Sequence, residues 1–151
     1  MQTEPKFRTL IDLFNESIAC IEPPDKKCLE IVRSDRQETL TFEQLRVRAR
    51  DFAAWLIRSA GIRVGNRIAI LGKNRVDWDV ALWGVLLAGG IPVLVDPERP
   101  VDGVTNHVTH TQTRLIVMAN DYQDENSRRD LREFASSRDV GLIEMTVYDK
   151  A

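Results

Sequence analysis

The sequence predicts an α/β fold: a mostly parallel sheet with helices on both faces, preceded by a leading helix and a hairpin. Three observations carry that prediction. Short apolar runs recur at 67–72, Ile91–Val95 and 114–118, each bounded by turn residues. Such runs suit parallel strands buried on both faces. Between them lie segments with helical apolar spacing, and from Leu40 onward helix and strand alternate to the end. That alternation implies right-handed crossovers. The hairpin and first helix occupy residues 1–40, the alternating unit 41–151.

The elements follow in order. Thr9 caps a first helix, with Asp12 three residues on, and Leu10, Leu13, Phe14 and Ile18 share a face. Glu22-Pro23-Pro24-Asp25 breaks it, because Pro-Pro cannot continue a helix. Residues 28–33 alternate and run into Ser34-Asp35-Arg36-Gln37, a hairpin turn leading to Glu38-Thr39-Leu40. Thr41 with Gln44 forms a capping box, with Leu40 and Leu45 at the staple positions. Leu45, Ala49, Phe52, Ala53 and Leu56 make the buried stripe of that helix. Arg46, Arg48, Arg50 and Asp51 fill its wet face, and Gly61 supplies a left-handed stop.

After the strand at 67–72, Asn74 is the expected cap of the next helix, with Asp77 at N3. Trp78, Ala81, Leu82, Val85 and Leu86 lie on one side of it, Trp83 and Leu87 on the other. A helix apolar nearly all round is buried deeply, or against something further. Gly89-Gly90 ends it before the strand Ile91–Val95. Pro100 suits the first turn of a short helix that carries Val101, Val104 and Val108 inward. A third strand follows at 114–118, an amphipathic helix at 126–138 with Leu131 and Phe134 inward, and a last strand at 141–148.

With 151 residues the chain has the size of one domain, and 43% hydrophobic residues are enough for a core. A net charge of −2 gives no electrostatic footprint for nucleic acid. Cys20 and Cys28 lack metal-ligand spacing and read as reduced thiols. No apolar run approaches a membrane span, and Met1-Gln2-Thr3-Glu4-Pro5 lacks the pattern of a signal peptide. A cytoplasmic location is expected.

Two short motifs carry more than fold. Thr39-Leu40-Thr41-Phe42-Glu43-Gln44-Leu45 opens a helix; Leu86-Leu87-Ala88-Gly89-Gly90-Ile91-Pro92-Val93-Leu94-Val95-Asp96-Pro97 closes another and enters a strand. Between them stand Arg63-Val64-Gly65-Asn66-Arg67-Ile68-Ala69-Ile70 and Lys73-Asn74; after them come Pro100 and Arg114-Leu115-Ile116-Val117. Together these resemble the start of the adenylate-forming (AMP-binding) enzymes: acyl-CoA synthetases, aryl-CoA ligases, peptide-synthetase adenylation domains and luciferases. The similarity runs from about residue 9 to 118. Asn66 stands where that family usually has Asp, and Leu94 where it usually has Pro, with Pro92 two residues earlier.

The resemblance implies the first of two sheet subdomains in the large N-terminal domain, so residues 1–151 are expected to be a single partial domain. It also implies, for a full-length enzyme, activation of a carboxylate with ATP and magnesium to an acyl-adenylate, then thioester formation with coenzyme A or a carrier. In family members the phosphate loop, the adenine- and magnesium-binding segment, the ribose-binding Asp and the catalytic Lys all lie beyond the stretch resembled here. The expectation is therefore a non-catalytic piece: no catalytic, cofactor-binding or metal residue can be assigned in it. The expected partner is the remainder of a ligase, or a second copy through an apolar face left bare by the 75–88 helix. The alternative is a natural short interaction module built on the same fold.

Other candidates read as structure. His107 and His110 are three apart on a helix, but no third ligand lies near, and a solvated face is the better reading. Arg46, Arg48, Arg50, Arg58, Arg63 and Arg67 form a basic region interspersed with Glu43 and Asp51. Trp55, Trp78 and Trp83 sit at helical positions among Leu, Val and Ala, which favours packing over stacking on a base. No Ser-His-Asp set, glycine-rich phosphate cradle or activated Cys can be assembled.

Overall fold

A computed structural model describes residues 7–34 and 37–145. The chain opens with α1 (Leu10–Glu16), a 3₁₀ turn (Ile18–Cys20) and the strands β1 (Lys27–Val32) and β2 (Gln37–Thr41). It then alternates through α2 (Phe42–Arg58), β3 (Arg67–Leu71), α3 (Val76–Leu87), β4 (Ile91–Val95), α4 (Val101–His110), β5 (Leu115–Met118), α5 (Glu125–Ser137) and β6 (Gly141–Glu144). Strands β1 and β2 form an antiparallel pair. The main sheet is four-stranded in the order β4-β3-β5-β6, and every pairing in it is parallel. The predicted hairpin tip includes Asp35 and Arg36, and the predicted last strand includes residues 146–148; both lie outside the described residues.

Alternate residues of β3 and β5 serve two cores. Ile68, Ile70, Leu115 and Val117 face α2 and α3. Ala69, Leu71, Ile116 and Met118 face α4 and α5. The strands are buried on both sides, which is why their sequences run apolar without alternation. The α2 stripe read from spacing is the buried one: Leu45, Ala49, Phe52, Ala53 and Leu56. Gly89 and Gly90 end α3 for two different reasons. Gly89 takes a positive φ of 76°, its N–H donating to the Leu86 carbonyl and that of Gly90 to the Val85 carbonyl. Gly90 needs its missing Cβ, which would lie 2.6 Å from the Ile68 side chain.

Several expectations are corrected. The Thr9–Asp12 capping box forms, but α1 stops at Glu16, well before the prolines. Only Phe14 of its apolar face is fully buried; Leu10 is 54% exposed, and Ile18 lies in the 3₁₀ turn. Arg75, not Asn74, is the N-cap of α3, with no side-chain cap bond. The buried face of α3 is Asp77, Val80, Ala81, Gly84 and Val85, so Val80 and Gly84 belong to it while Trp78, Leu82 and Leu86 are half-buried. The second side of α3 is not bare. Trp83 packs on Phe14 of α1 at 5.3 Å between ring centroids, and no residue from 75 to 90 is exposed. The leading segment thus covers part of that side within the chain.

Candidate functional site

Open parallel sheets place ligands outside the carboxyl ends of their strands, where neighbouring connections leave toward opposite faces. Here that point lies between β3 and β5. The chain leaves β3 for α3 on one face and leaves β5 for α5 on the other. The loop after β3 contains Lys73, Asn74 and Arg75; the loop after β5 contains Asn120 and Asp121.

The crevice is filled by its own side chains. Arg75 has a side chain only 9% exposed. Its Nη1 donates to Asn120 Oδ1 at 2.9 Å and to Asp121 Oδ1 at 3.3 Å. Its Nε and Nη2 donate to Asp77 Oδ2 at 3.2 and 2.9 Å. The other oxygen of Asp77 accepts from Arg48 Nη2 of α2 at 2.5 Å. The hairpin closes the set: Glu38 accepts from the Val76 N–H at 3.3 Å, and Arg33 donates to the Asn74 carbonyl. Buried charges persist only when paired and hydrogen-bonded in this way. The network joins β2, α2, α3 and the loop after β5 at the crevice between β3 and β5.

Further bonds knit the neighbouring loops. Asp96 accepts from the Glu98 N–H at 2.9 Å. Tyr122 Oη and Gln123 Nε2 both donate to the Arg99 carbonyl, at 3.0 and 2.8 Å. Burial pushes the Tyr122 phenol above its ordinary range. Lys73 and Glu98 form an exposed pair at 3.3 Å.

The remaining candidates fall where packing and solvation place them. Arg46 is bound by Glu43, which that guanidinium holds below the usual carboxylate range. Arg50 reaches Asn15 at 3.4 Å, and Arg58, Arg63 and Arg67 are exposed. With Arg48 turned inward, these arginines do not act as one patch. His107 is half-buried and His110 exposed on α4. Among the described residues no three His, Cys, Asp or Glu side chains are gathered as a metal site. Trp55 stacks on Phe52 at 6.0 Å, and Trp78 and Trp83 pack against the α2–α3 core. Cys20 and Cys28 are free, and burial, reinforced by Asp79, raises the Cys28 thiol. Thr41 Oγ1 accepts from the Gln44 N–H at 3.1 Å, and Gln44 Oε1 accepts from the Thr41 N–H at 2.9 Å, so this hydroxyl is a cap. The buried network itself was missed by sequence reasoning. Its traces there were Arg48, read as part of the wet face of α2, and Asp77, read as N3 of the next helix.

The family of AMP-binding enzymes matches residues 18–151. This chain belongs to that family. Among curated proteins, a long-chain-fatty-acid–CoA ligase of Escherichia coli O6:H1 is 34% identical over 117 residues, covering 78% of this chain and 20% of that protein. One from Salmonella typhimurium is 43% identical over 85 residues, covering 56% and 15%. Among solved structures, the fatty acyl-adenylate ligase of L. pneumophila, in complex with acyl adenylate and pyrophosphate, aligns with a TM-score of 0.71 at 22% identity, over 95% of this chain and 24% of that one. The O-succinylbenzoate coenzyme A synthetase of Bacillus subtilis, in complex with AMP, aligns at 0.69 and 18%, over 91% and 32%. At these identities the structural likeness is one of fold. The chain spans about a fifth of the length of the Escherichia coli ligases that it matches.

Within the AMP-binding family the displaced proline of this chain has a structural explanation. Ile91 N–H donates to the Asn66 carbonyl at 2.8 Å, and β4 pairs with β3 without a break from Ile91 to Val95. Alternate residues of a strand bond to the same side, so residues 91, 93 and 95 serve β3 while 92 and 94 turn to the open edge. A proline is tolerated at either outward position, because neither N–H is needed. ATP and magnesium, implied for a full-length enzyme, find no matching donor set among the described residues. The ligand crevice is occupied by Arg75, and no group of three His, Cys, Asp or Glu side chains suited to a metal ion gathers among the described residues.

Proposed function

We propose that this chain is the first α/β unit of a carboxylate-activating ligase, supplying scaffold rather than chemistry. The complete enzyme would join a carboxylate to the α-phosphate of magnesium-ATP, release pyrophosphate, and pass the acyl group to a thiol, most simply coenzyme A. The observation that carries this reading is the family match over residues 18–151, together with the long-chain-fatty-acid–CoA ligases among the relatives. A cytoplasmic setting agrees with it: no described helix is long and apolar enough to cross a membrane. The contribution of these residues is mechanical. The Arg48–Asp77–Arg75 network fixes the carboxyl-end loops against the hairpin, and the two cores hold the sheet between its helices.

The test is pyrophosphate exchange by the isolated chain with a panel of fatty, aryl and amino acids. Exchange at the level of a heat-killed control is expected. Exchange clearly above that control would sink the scaffold reading. The second reading, a natural short interaction module, is favoured by one observation: α3 is already covered within the chain by α1 and the hairpin. The length of the encoded open reading frame separates the two.

A further inference from the structure

The end of the main sheet opposite the crevice is basic. There the chain enters its strands. Arg67 begins β3 and Arg114 directly precedes β5. The two are neighbours, since the Arg114 N–H donates to the Arg67 carbonyl at 2.8 Å. The Gly141 N–H donates in turn to the Arg114 carbonyl, which brings Arg138, the C-cap of α5, to the same end. Arg58 stands in the last turn of α2, and Arg63 opens the turn before β3. All five arginines are exposed. The segments that make up this end, 57–67, 88–91, 107–115 and 134–141, contain a single carboxylate, Asp139. It lies 3.7 Å from Arg114 in a solvated pair. Arg58, Arg63, Arg67 and Arg138 meet no carboxylate among the described residues. Helix dipoles account for Arg58 and Arg138 at helix C-termini, but not for Arg63, Arg67 and Arg114. A chain of net charge −2 thus has one strongly positive end.

Apolar groups stand among these charges. Val64 is 86% exposed, beside Arg63 at the tip of a fixed turn. The Asn66 N–H donates to the Arg63 carbonyl, and Asn66 Oδ1 accepts from the Arg63 N–H at 2.9 Å. The Gly65 N–H donates to the Gly89 carbonyl at 2.9 Å. These bonds order the tip without covering it. Ile57 and Ile91 lie half-exposed at the same end, Ile91 in register with Arg67. Arg114 and Arg138 line a shared recess of about 370 Å³ with Thr109 and Gln112.

We propose that this end docks on a membrane surface bearing anionic headgroups. The arginines meet the lipid phosphates, and Val64 enters the boundary between headgroups and acyl chains. Charge complementarity selects an anionic partner. The bare Val64 selects the kind: an apolar tip gains from that boundary and gains nothing from the phosphates of a nucleic acid. Positive charge and apolar insertion are each weak alone, and together they anchor a protein reversibly. The recess between Arg114 and Arg138 has the charge to receive one headgroup phosphate. Docked in this way, the chain turns the carboxyl-end crevice toward water. The inference stands apart from the ligase reading, since it needs no substrate.

Co-sedimentation of the full chain with vesicles of equal parts phosphatidylglycerol and phosphatidylcholine, in about 0.1 M salt, tests it. Binding is expected, falling as salt rises and absent from pure phosphatidylcholine. Arg63→Glu combined with Arg67→Glu weakens it at least about tenfold, since each arginine at an anionic surface contributes roughly fivefold. Val64→Ser keeps the charge and weakens it about threefold. Lys73→Glu, at the opposite end, leaves it unchanged; circular dichroism checks that each variant is folded. Binding no stronger than to pure phosphatidylcholine, binding unmoved by the paired arginine change, or binding lost with Lys73→Glu overturns the proposal. Binding unmoved by Val64→Ser overturns it as well, because the end would then serve a soluble polyanion instead of a membrane.

Discussion

Helices α2 and α3 lie against each other, yet they begin by opposite means. The start of α2 is self-contained: Thr41 and Gln44 satisfy each other's backbone N–H groups within four consecutive residues. The start of α3 has one local pair, Arg75 with Asp77, and otherwise depends on residues far along the chain. Its N-cap, Arg75, makes no side-chain cap bond, and the Val76 N–H is met by Glu38, 38 residues earlier. Asp77 is held by Arg48, 29 residues earlier, and Arg75 by Asn120, 45 residues later. One helix would keep its cap as an isolated segment. The other acquires its start only when the hairpin, α2 and the loop after β5 have all arrived.

That contrast is broken most severely by Asp77→Ala. The change leaves Arg48 and Arg75 facing each other, the latter buried, and should cost about 3–5 kcal/mol in urea unfolding. Arg75→Ala combined with Asp77→Ala should cost less than the sum of the two single changes, because they share one network. Additivity in that double-mutant cycle would show the network to be incidental.

Where the two helices touch, Gly84→Ala gives the next largest effect. A Cβ there would lie 2.6 Å from the Phe52 ring and 3.2 Å from the Ala49 carbonyl. Forcing the helices apart should cost about 1–3 kcal/mol, read as a lowered urea midpoint at unchanged slope. At the self-contained end, Thr41→Ala should cost about 1 kcal/mol, while Thr41→Ser retains the accepting oxygen and should cost little. Equal losses for the two substitutions would mean that the Thr41 methyl, not its hydroxyl, matters.

The smallest effect concerns charge in the first turn of α3. Desolvation raises the Asp79 carboxyl above its ordinary value. The sign is opposite to that of a paired carboxylate. Stability is fullest at low pH, where Asp79 is protonated, and declines as pH rises through its folded-state value. Asp79→Asn should therefore raise the melting temperature modestly at neutral pH, with the advantage vanishing in acid. A loss of stability at neutral pH would show that the carboxylate helps the helix start more than its burial hurts it.

The same contrast explains what the sequence made legible. The α2 cap and stripe were readable because the box is local and the helix alternates apolar with charged residues. The strands were readable as apolar runs, and Gly89-Gly90 as a stop. The buried face of α3 was not, since a helix apolar on every side gives periodicity no contrast; Val80 and Gly84 look no more inward than Trp78 or Leu82. Asn74 has the chemistry of a cap, but Arg75 is held in the capping position by partners far along the chain. The candidate site failed for that reason too. Arg48, Arg75, Asp77, Asn120 and Asp121 become a group only once the sheet has brought β3 beside β5.

The outward phase of Pro92 and Leu94 has a consequence for tracing ancestry. Along β4 a proline can hop by two positions but not by one, since an odd step would delete a rung of the ladder to β3. Substitution histories at this strand should therefore show proline alternating between even-numbered places with no intermediate at Val93. An alignment anchored on matching prolines would slide the strand two residues against its helix. One anchored on Gly89-Gly90 and Asp96 keeps the lineage in register.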